Sequence, residues 1–213
     1  FLPAAETGGD TYDLASIEQG LVIVLGDATG HGIAPALSVT QMQAMLRIAF
    51  RLGADLETAF AQVNDLLEAS LPDDRFITAF VGLLDPVAHR VRYLSGGQGP
   101  ILHFEAATQR CAHHRPTGPP LGAMPTPPAP RPAASIALAP GDWLLLLSDG
   151  VFECFDPEGV AFGDARVEQV LHAHHAAGAA ELATRLLDAM HAFARGAPQQ
   201  DDVTMVLLKR VAA

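Results

Sequence analysis

The sequence predicts an α+β fold in which antiparallel strands are flanked by helices. Three observations lead there. Strand-like segments come as hairpins, helical patterns come in blocks rather than after every strand, and 213 residues, 49% of them hydrophobic, can bury a substantial core. A doubly wound parallel sheet would alternate strand and helix along the chain instead. The length fits one domain over residues 1–213, and no repeat of solenoid period is present.

Each element has a local reason. Leu21 to Leu25 is an apolar run with the length of a buried strand. From Ile33 to Leu52, Val39, Met42, Leu46 and Ala49 recur at spacings of three and four, which predicts a long, largely buried helix that Gly53 ends. Asp55 is placed to cap a second helix, to Ser70, with the stripe Leu56, Phe60, Val63 and Leu67. Phe76 to Leu84 alternates, Asp85-Pro86 turns and Val91 to Ser95 returns, a hairpin pattern; a short strand follows over Ile101 to Phe104.

Residues 115–132 hold eight of the sixteen prolines, which excludes helix and central strand and predicts a loop inside the domain. After the turn Pro140-Gly141-Asp142 come the strand Trp143 to Leu147 and then Ser148-Asp149-Gly150. Asp164 is read as capping a helix through Val167, Val170 and Leu171. Leu182, Leu186, Met190 and Phe193 stripe another helix that Gly196 ends, and Val203 to Leu208 alternates as a last strand.

Thirteen Lys and Arg against twenty-four Asp and Glu give a net charge of −11, which opposes nucleic acid and anionic membrane as partners. No apolar segment approaches the roughly 20 residues that span a bilayer, and the N-terminus carries no signal pattern. Cys111 and Cys154 stand in no metal-like spacing and read as packing residues, consistent with a reducing, cytoplasmic setting. The chain starts at Phe1 with motif-like sequence close behind, so it is expected to be the C-terminal part of a longer, regulated protein.

Four acidic positions share one context, each beside a strand end: Asp10, Asp27, Asp149, and Asp201 with Asp202. Any one alone reads as a turn former or helix cap. If they converge, their mutual repulsion calls for cations, and all-oxygen ligands select hard ions, Mg²⁺ or Mn²⁺, over zinc. Two such ions about 3.5 to 4 Å apart can acidify a water and present it in line with a phosphorus atom. The chemistry is then phosphoester hydrolysis without a covalent enzyme intermediate.

These motifs, taken together, resemble a known family. Gly8-Gly9-Asp10-Thr11-Tyr12-Asp13, Gly26-Asp27-Ala28-Thr29-Gly30-His31-Gly32, Arg75-Phe76-Ile77-Thr78, Leu147-Ser148-Asp149-Gly150 and Asp201-Asp202-Val203-Thr204 are similar to the SpoIIE-like branch of the metal-dependent PPM serine/threonine protein phosphatases, in the same order over nearly the whole chain. The resemblance implies a sandwich of two mainly antiparallel sheets flanked by helices (αββα), with a two-metal site at one end. It implies that Asp27 bridges both cations, Mn²⁺ or Mg²⁺, with the Ala28 carbonyl as a further ligand. Asp149 and Asp201 hold one metal, and Asp10 binds the other directly or through water. Asp27 and Asp149 are thus the carboxylates on which catalysis rests, and Asp202, His31 and Gly150 are candidates behind them.

The implied substrate is phosphoserine or phosphothreonine on a protein, commonly a STAS-domain anti-anti-sigma factor in bacterial partner switching. An upstream regulatory domain or a homodimer contact is the expected switch, acting through the two helices that follow Asp27. Two other readings use the same residues: a metal-stabilised module that binds a phosphoprotein without hydrolysing it, and a phosphatase of small phosphoesters. The chain also departs from the pattern, with Ala28 where several relatives have glycine and Gln98 where the family often has histidine. His172, His174 and His175 lack zinc-protease spacing and read as a solvated helix face, as do His113 and His114 beside the proline-rich loop.

Overall fold

The computed structural model describes residues 1–4, 7–30, 32–129 and 131–211. The chain divides into two compact units, one of residues 5–99 and 115–137, the other of residues 1–4, 100–114 and 138–213. The expected α+β class is what the structure shows: two antiparallel sheets, one in each unit, with helices packed on them.

The first unit is built on the strand order β1-β2-β3-β4-β7. Its strands are β1 (Asp10–Ile17), β2 (Gly20–Ala28), β3 (Ile77–Asp85), β4 (Arg90–Gly96) and β7 (Ala134–Ala137). Two helices lie between β2 and β3, α1 (Ile33–Arg51) and α2 (Leu56–Ser70). Of the predicted stripe of α1, Val39, Met42 and Leu46 are buried and Ala49 is half-buried, with Phe50 buried in its place, and this face packs with Val22, Val24, Ile77 and Val81 of the sheet. The helix is not largely buried, since Ile33, Leu37 and Ile48 on its other face are exposed. Met42 and Leu46 are almost wholly buried, so truncating either to alanine costs about 2–5 kcal/mol. Gly53 takes φ 85°, the left-handed turn after a helix, and the Asp55 carboxylate accepts the Thr58 N–H at 2.7 Å as an N-cap.

The proline-rich segment is tied to this unit by backbone and side-chain bonds. Ile77 and Leu121 exchange backbone hydrogen bonds at 2.9 and 2.8 Å. The buried Asn64 of α2 donates to the Met124 carbonyl and the Thr126 hydroxyl, both at 3.0 Å, and accepts the Gly122 N–H at 3.1 Å. One amide thereby satisfies three groups of a segment that cannot form ladders of its own.

The second unit carries the order β6-β5-β8-β9: β5 (Ile101–Glu105), β6 (Arg110–His114), β8 (Trp143–Leu147) and β9 (Met205–Lys209). Against it pack the short α3 (Asp149–Phe152), α4 (Gly163–His174) and α5 (Ala179–Ala194). Every residue of β8 is buried, as its unbroken apolar run requires. Lys209 donates to the carbonyls of His175, Ala176 and Ala177 where α4 ends, and its ammonium stands 4.8 Å from the centre of the Trp143 ring.

Four elements exceed the sequence reading, the first of them β1, the strand that carries Asp10. Strands β6 and β7 are edge strands too short and too mixed in polarity to show a period, and α3 is a single turn. His113 and His114 therefore lie on a strand, and the rings of His172 and His175 contact Phe104 at 5.2 and 5.3 Å rather than forming only a solvated face. Asp164 sits inside the first turn of α4, one residue past its start, with Phe162 at the cap position.

Candidate active site

In the first unit, antiparallel pairing of β1 with β2 sets Asp10 directly opposite Asp27. Asp10 is buried and Asp27 partly exposed. Two like charges facing each other across a ladder repel, an arrangement a sheet tolerates where something positive joins them. Beside the pair, the Ala28 N–H donates to the Gly9 carbonyl at 3.1 Å, drawing the two strand ends together. A Cβ on Gly9 would stand 2.9 Å from the Ala28 carbonyl oxygen and 3.5 Å from Oδ1 of Asp27, so only glycine leaves that carbonyl approachable.

The loop that leaves β2 is held by Thr29. Its N–H and hydroxyl both donate to the Phe76 carbonyl, at 3.1 and 3.3 Å, and its hydroxyl accepts the Phe76 N–H at 3.2 Å. Asp27 is also opposite Thr78 on β3, whose hydroxyl donates to Oε1 of Gln98 at 3.0 Å. Gln98 is buried, and its backbone carbonyl accepts the Ser95 hydroxyl at 2.5 Å. The residue that departs from the family's histidine is a structural partner of the strand beside Asp27. His31 lies outside the described residues.

In the second unit, Asp149 opens α3 immediately after β8. Its carboxylate is reachable from solvent, yet the surrounding protein raises its pKa above the ordinary carboxylate range by partial desolvation, with repulsion from Asp201 and Glu153 adding to it. Asp201 is exposed, whereas Asp202 is 5% exposed and its Oδ1 accepts the Ala4 N–H at 2.8 Å. The two neighbours are thus separable by environment: Asp201 faces solvent within electrostatic reach of Asp149, and Asp202 holds the N-terminal segment. The Asp202 N–H donates to Oδ1 of Asp201 at 2.8 Å, which orients that carboxylate.

Ser148 is a residue to which sequence reasoning gave no role. Wholly buried, it receives the Thr204 N–H on its hydroxyl at 2.9 Å, donates that hydroxyl to the Asp202 carbonyl at 3.1 Å, and donates its own N–H to the Thr204 carbonyl at 3.0 Å. It locks the segment bearing Asp201 to the junction of β8 and α3, where Asp149 begins the helix. The signal was present only as a small hydroxyl residue between a buried strand and an aspartate.

A model of the family described as stage II sporulation protein E matches residues 17–211. The chain belongs to the SpoIIE family. The SpoIIE family is a branch of the PPM phosphatases, a class that depends on divalent metals. This SpoIIE-family chain is 26% identical over 240 residues to protein IcfG of Synechocystis sp., covering 99% of the chain and 37% of that protein. It is 22% identical over 209 residues to the phosphoserine phosphatase RsbU of Bacillus subtilis, covering 98% of the chain and 61% of RsbU. Among solved structures, the RsbU and RsbW domains of Rv1364c from Mycobacterium tuberculosis match with a TM-score of 0.80 at 27% identity, covering 99% of this chain and 58% of that one. The SpoIIE-family chain therefore spans roughly two fifths to three fifths of the length of these curated relatives.

Proposed function

We propose that the chain hydrolyses phosphoserine or phosphothreonine on a protein, with two divalent cations, Mg²⁺ or Mn²⁺, held by Asp10, Asp27, the Ala28 carbonyl, Asp149 and Asp201. The observation that carries this reading is the cross-strand pair Asp10 and Asp27, two carboxylates opposite one another next to a carbonyl that Gly9 leaves approachable. The donor set is all oxygen, which fits hard cations. Family membership supplies the reaction class.

Cations held by these oxygens would supply an acidified water as nucleophile and would neutralise the phosphoryl oxygens. The chain's own residues do the positioning. Asp10 and Asp27 present one pair of carboxylates, fixed by the β1–β2 register. Asp149 and Asp201 present another, fixed by Ser148. Asp202 stays behind Asp201, and Gly150 admits the Asp202 carbonyl close to the helix start. The substrate we assign is a phosphorylated STAS-type partner, in keeping with the phosphoserine phosphatase RsbU and the RsbU and RsbW domains among the relatives. Regulation by a domain outside this chain or by dimerisation belongs to the same proposal.

Phosphate release from a phosphoserine STAS protein, a phosphopeptide and a small phosphate ester, with Mn²⁺ or Mg²⁺ and with chelator, tests it. Asp149→Asn and Asp27→Asn should abolish metal-dependent release while leaving the fold intact. Faster release from the phosphoprotein than from the small ester supports the assignment. Binding of the phosphoprotein without turnover at any metal concentration would replace it by a binding module.

A further inference from the structure

In the second unit, the Sγ of Cys111, a ring nitrogen of His113 and a carboxylate oxygen of Glu168 all lie within 4.8 Å of one another. Their convergence follows from two periodicities. Cys111 and His113 are two apart on β6 and share a face; Asp164 and Glu168 are four apart on α4 and share another. Nε2 of His113 is 2.5 Å from Oε1 of Glu168, and its Nδ1 is 3.8 Å from Oδ2 of Asp164. One nitrogen thus addresses the ligand cluster while a second carboxylate stands on the other side of the ring, within ion-pair reach though beyond hydrogen-bond length, on the side from which carboxylates orient metal-binding histidines.

We propose that Cys111, His113 and Glu168 form a second metal site, for a thiophilic divalent cation such as Zn²⁺, with a fourth position left to water. The ligand set decides the class of ion. Thiolate and imidazole select zinc over magnesium, the reverse of the all-oxygen set of the aspartates, and the two sets share no residue. Entry from solvent is open, since the His113 side chain is 34% exposed and that of Glu168 29%. Without a cation the thiol keeps its proton, pushed up to about 12 by burial and by the neighbouring Glu168 charge. A cation takes that proton's place and turns the repulsion between thiolate and carboxylate into shared ligation. Bound there, it ties the edge strand β6 to α4 and stabilises this unit.

The test uses Co²⁺ as a spectroscopic stand-in on the full chain, freed of metal with chelator. Stoichiometric binding with a thiolate-to-cobalt charge-transfer band in the near ultraviolet, displaced by Zn²⁺, is the expected result. Oxygen ligands give no such band, so the aspartates do not contribute to it. Cys111→Ser should abolish the band and Cys154→Ser should retain it. His113→Asn, at a partly exposed position that spares the fold if Cys111→Ser does not, should weaken Zn²⁺ binding tenfold or more, and Asp164→Asn about tenfold. No charge-transfer band, a band that survives in Cys111→Ser, or Zn²⁺ affinity unchanged in His113→Asn overturns the proposal.

Discussion

Gly150 lies so close to Asp202 that a Cβ on it would stand 2.0 Å from the Asp202 carbonyl oxygen and 2.9 Å from its carbonyl carbon. The obstruction is backbone, which cannot swing aside as a side chain can. Gly150→Ala must therefore push the Asp201–Asp202 segment away from the start of α3. The expected outcome is a folded protein whose Mn²⁺ affinity and phosphate release both fall by tenfold or more. Calorimetric titration with Mn²⁺ checks it, and unchanged metal affinity would disprove the coupling.

Ser148→Ala removes the acceptor of the Thr204 N–H and the donor to the Asp202 carbonyl in a wholly buried place. Groups that lose a partner there cannot turn to water. The expected loss is about 1–3 kcal/mol in urea unfolding. A change of only a few tenths would mean that neighbouring groups take over the bonds.

Asn64→Ala should release the proline-rich segment before it unfolds the domain. Gly122, Met124 and Thr126 lose their shared partner, at a cost of about 1–3 kcal/mol, while the Asp65 carboxylate still accepts the Thr126 N–H at 3.0 Å. Hydrogen exchange should accelerate at the Gly122 amide more than in β3. Equal acceleration throughout the unit would show global destabilisation instead.

The Arg47 guanidinium donates to both oxygens of the buried Asp13 at 2.6 Å and holds that carboxyl below the ordinary carboxylate range. Because the folded-state pKa is depressed, the pair stabilises fully at pH above the unfolded carboxylate value and loses its effect as pH falls through the folded one. Arg47→Ala should thus lower the denaturation midpoint at neutral pH, with the gap to the parent protein closing in acid. A gap independent of pH would assign the loss to packing by the arginine stem.

Much of the fold was legible because it rests on period and punctuation. The α1 stripe Val39, Met42 and Leu46, the Asp55 cap and the buried run of β8 are local patterns that tertiary packing reinforces. Strands β6 and β7 were not legible: β6 is a five-residue edge of mixed polarity, although it pairs with the adjacent β5, and the four-residue β7 draws its pairing from β4, distant in sequence. The same holds for the Cys111, His113 and Glu168 cluster: the last lies on a helix more than fifty residues beyond the other two, and no local spacing announces it.

The sequence by itself determined the fold class and the family of this protein and singled out the aspartates proposed as ligands, because carboxylates and glycines at strand ends are written in local order. Only the tertiary structure decided that Asp10 faces Asp27, that Asp202 is buried against Ala4 while Asp201 meets solvent, and that Ser148 joins two strand ends. Register and burial depend on which distant segments pair, and a neighbouring residue of the same chemistry can receive the opposite environment.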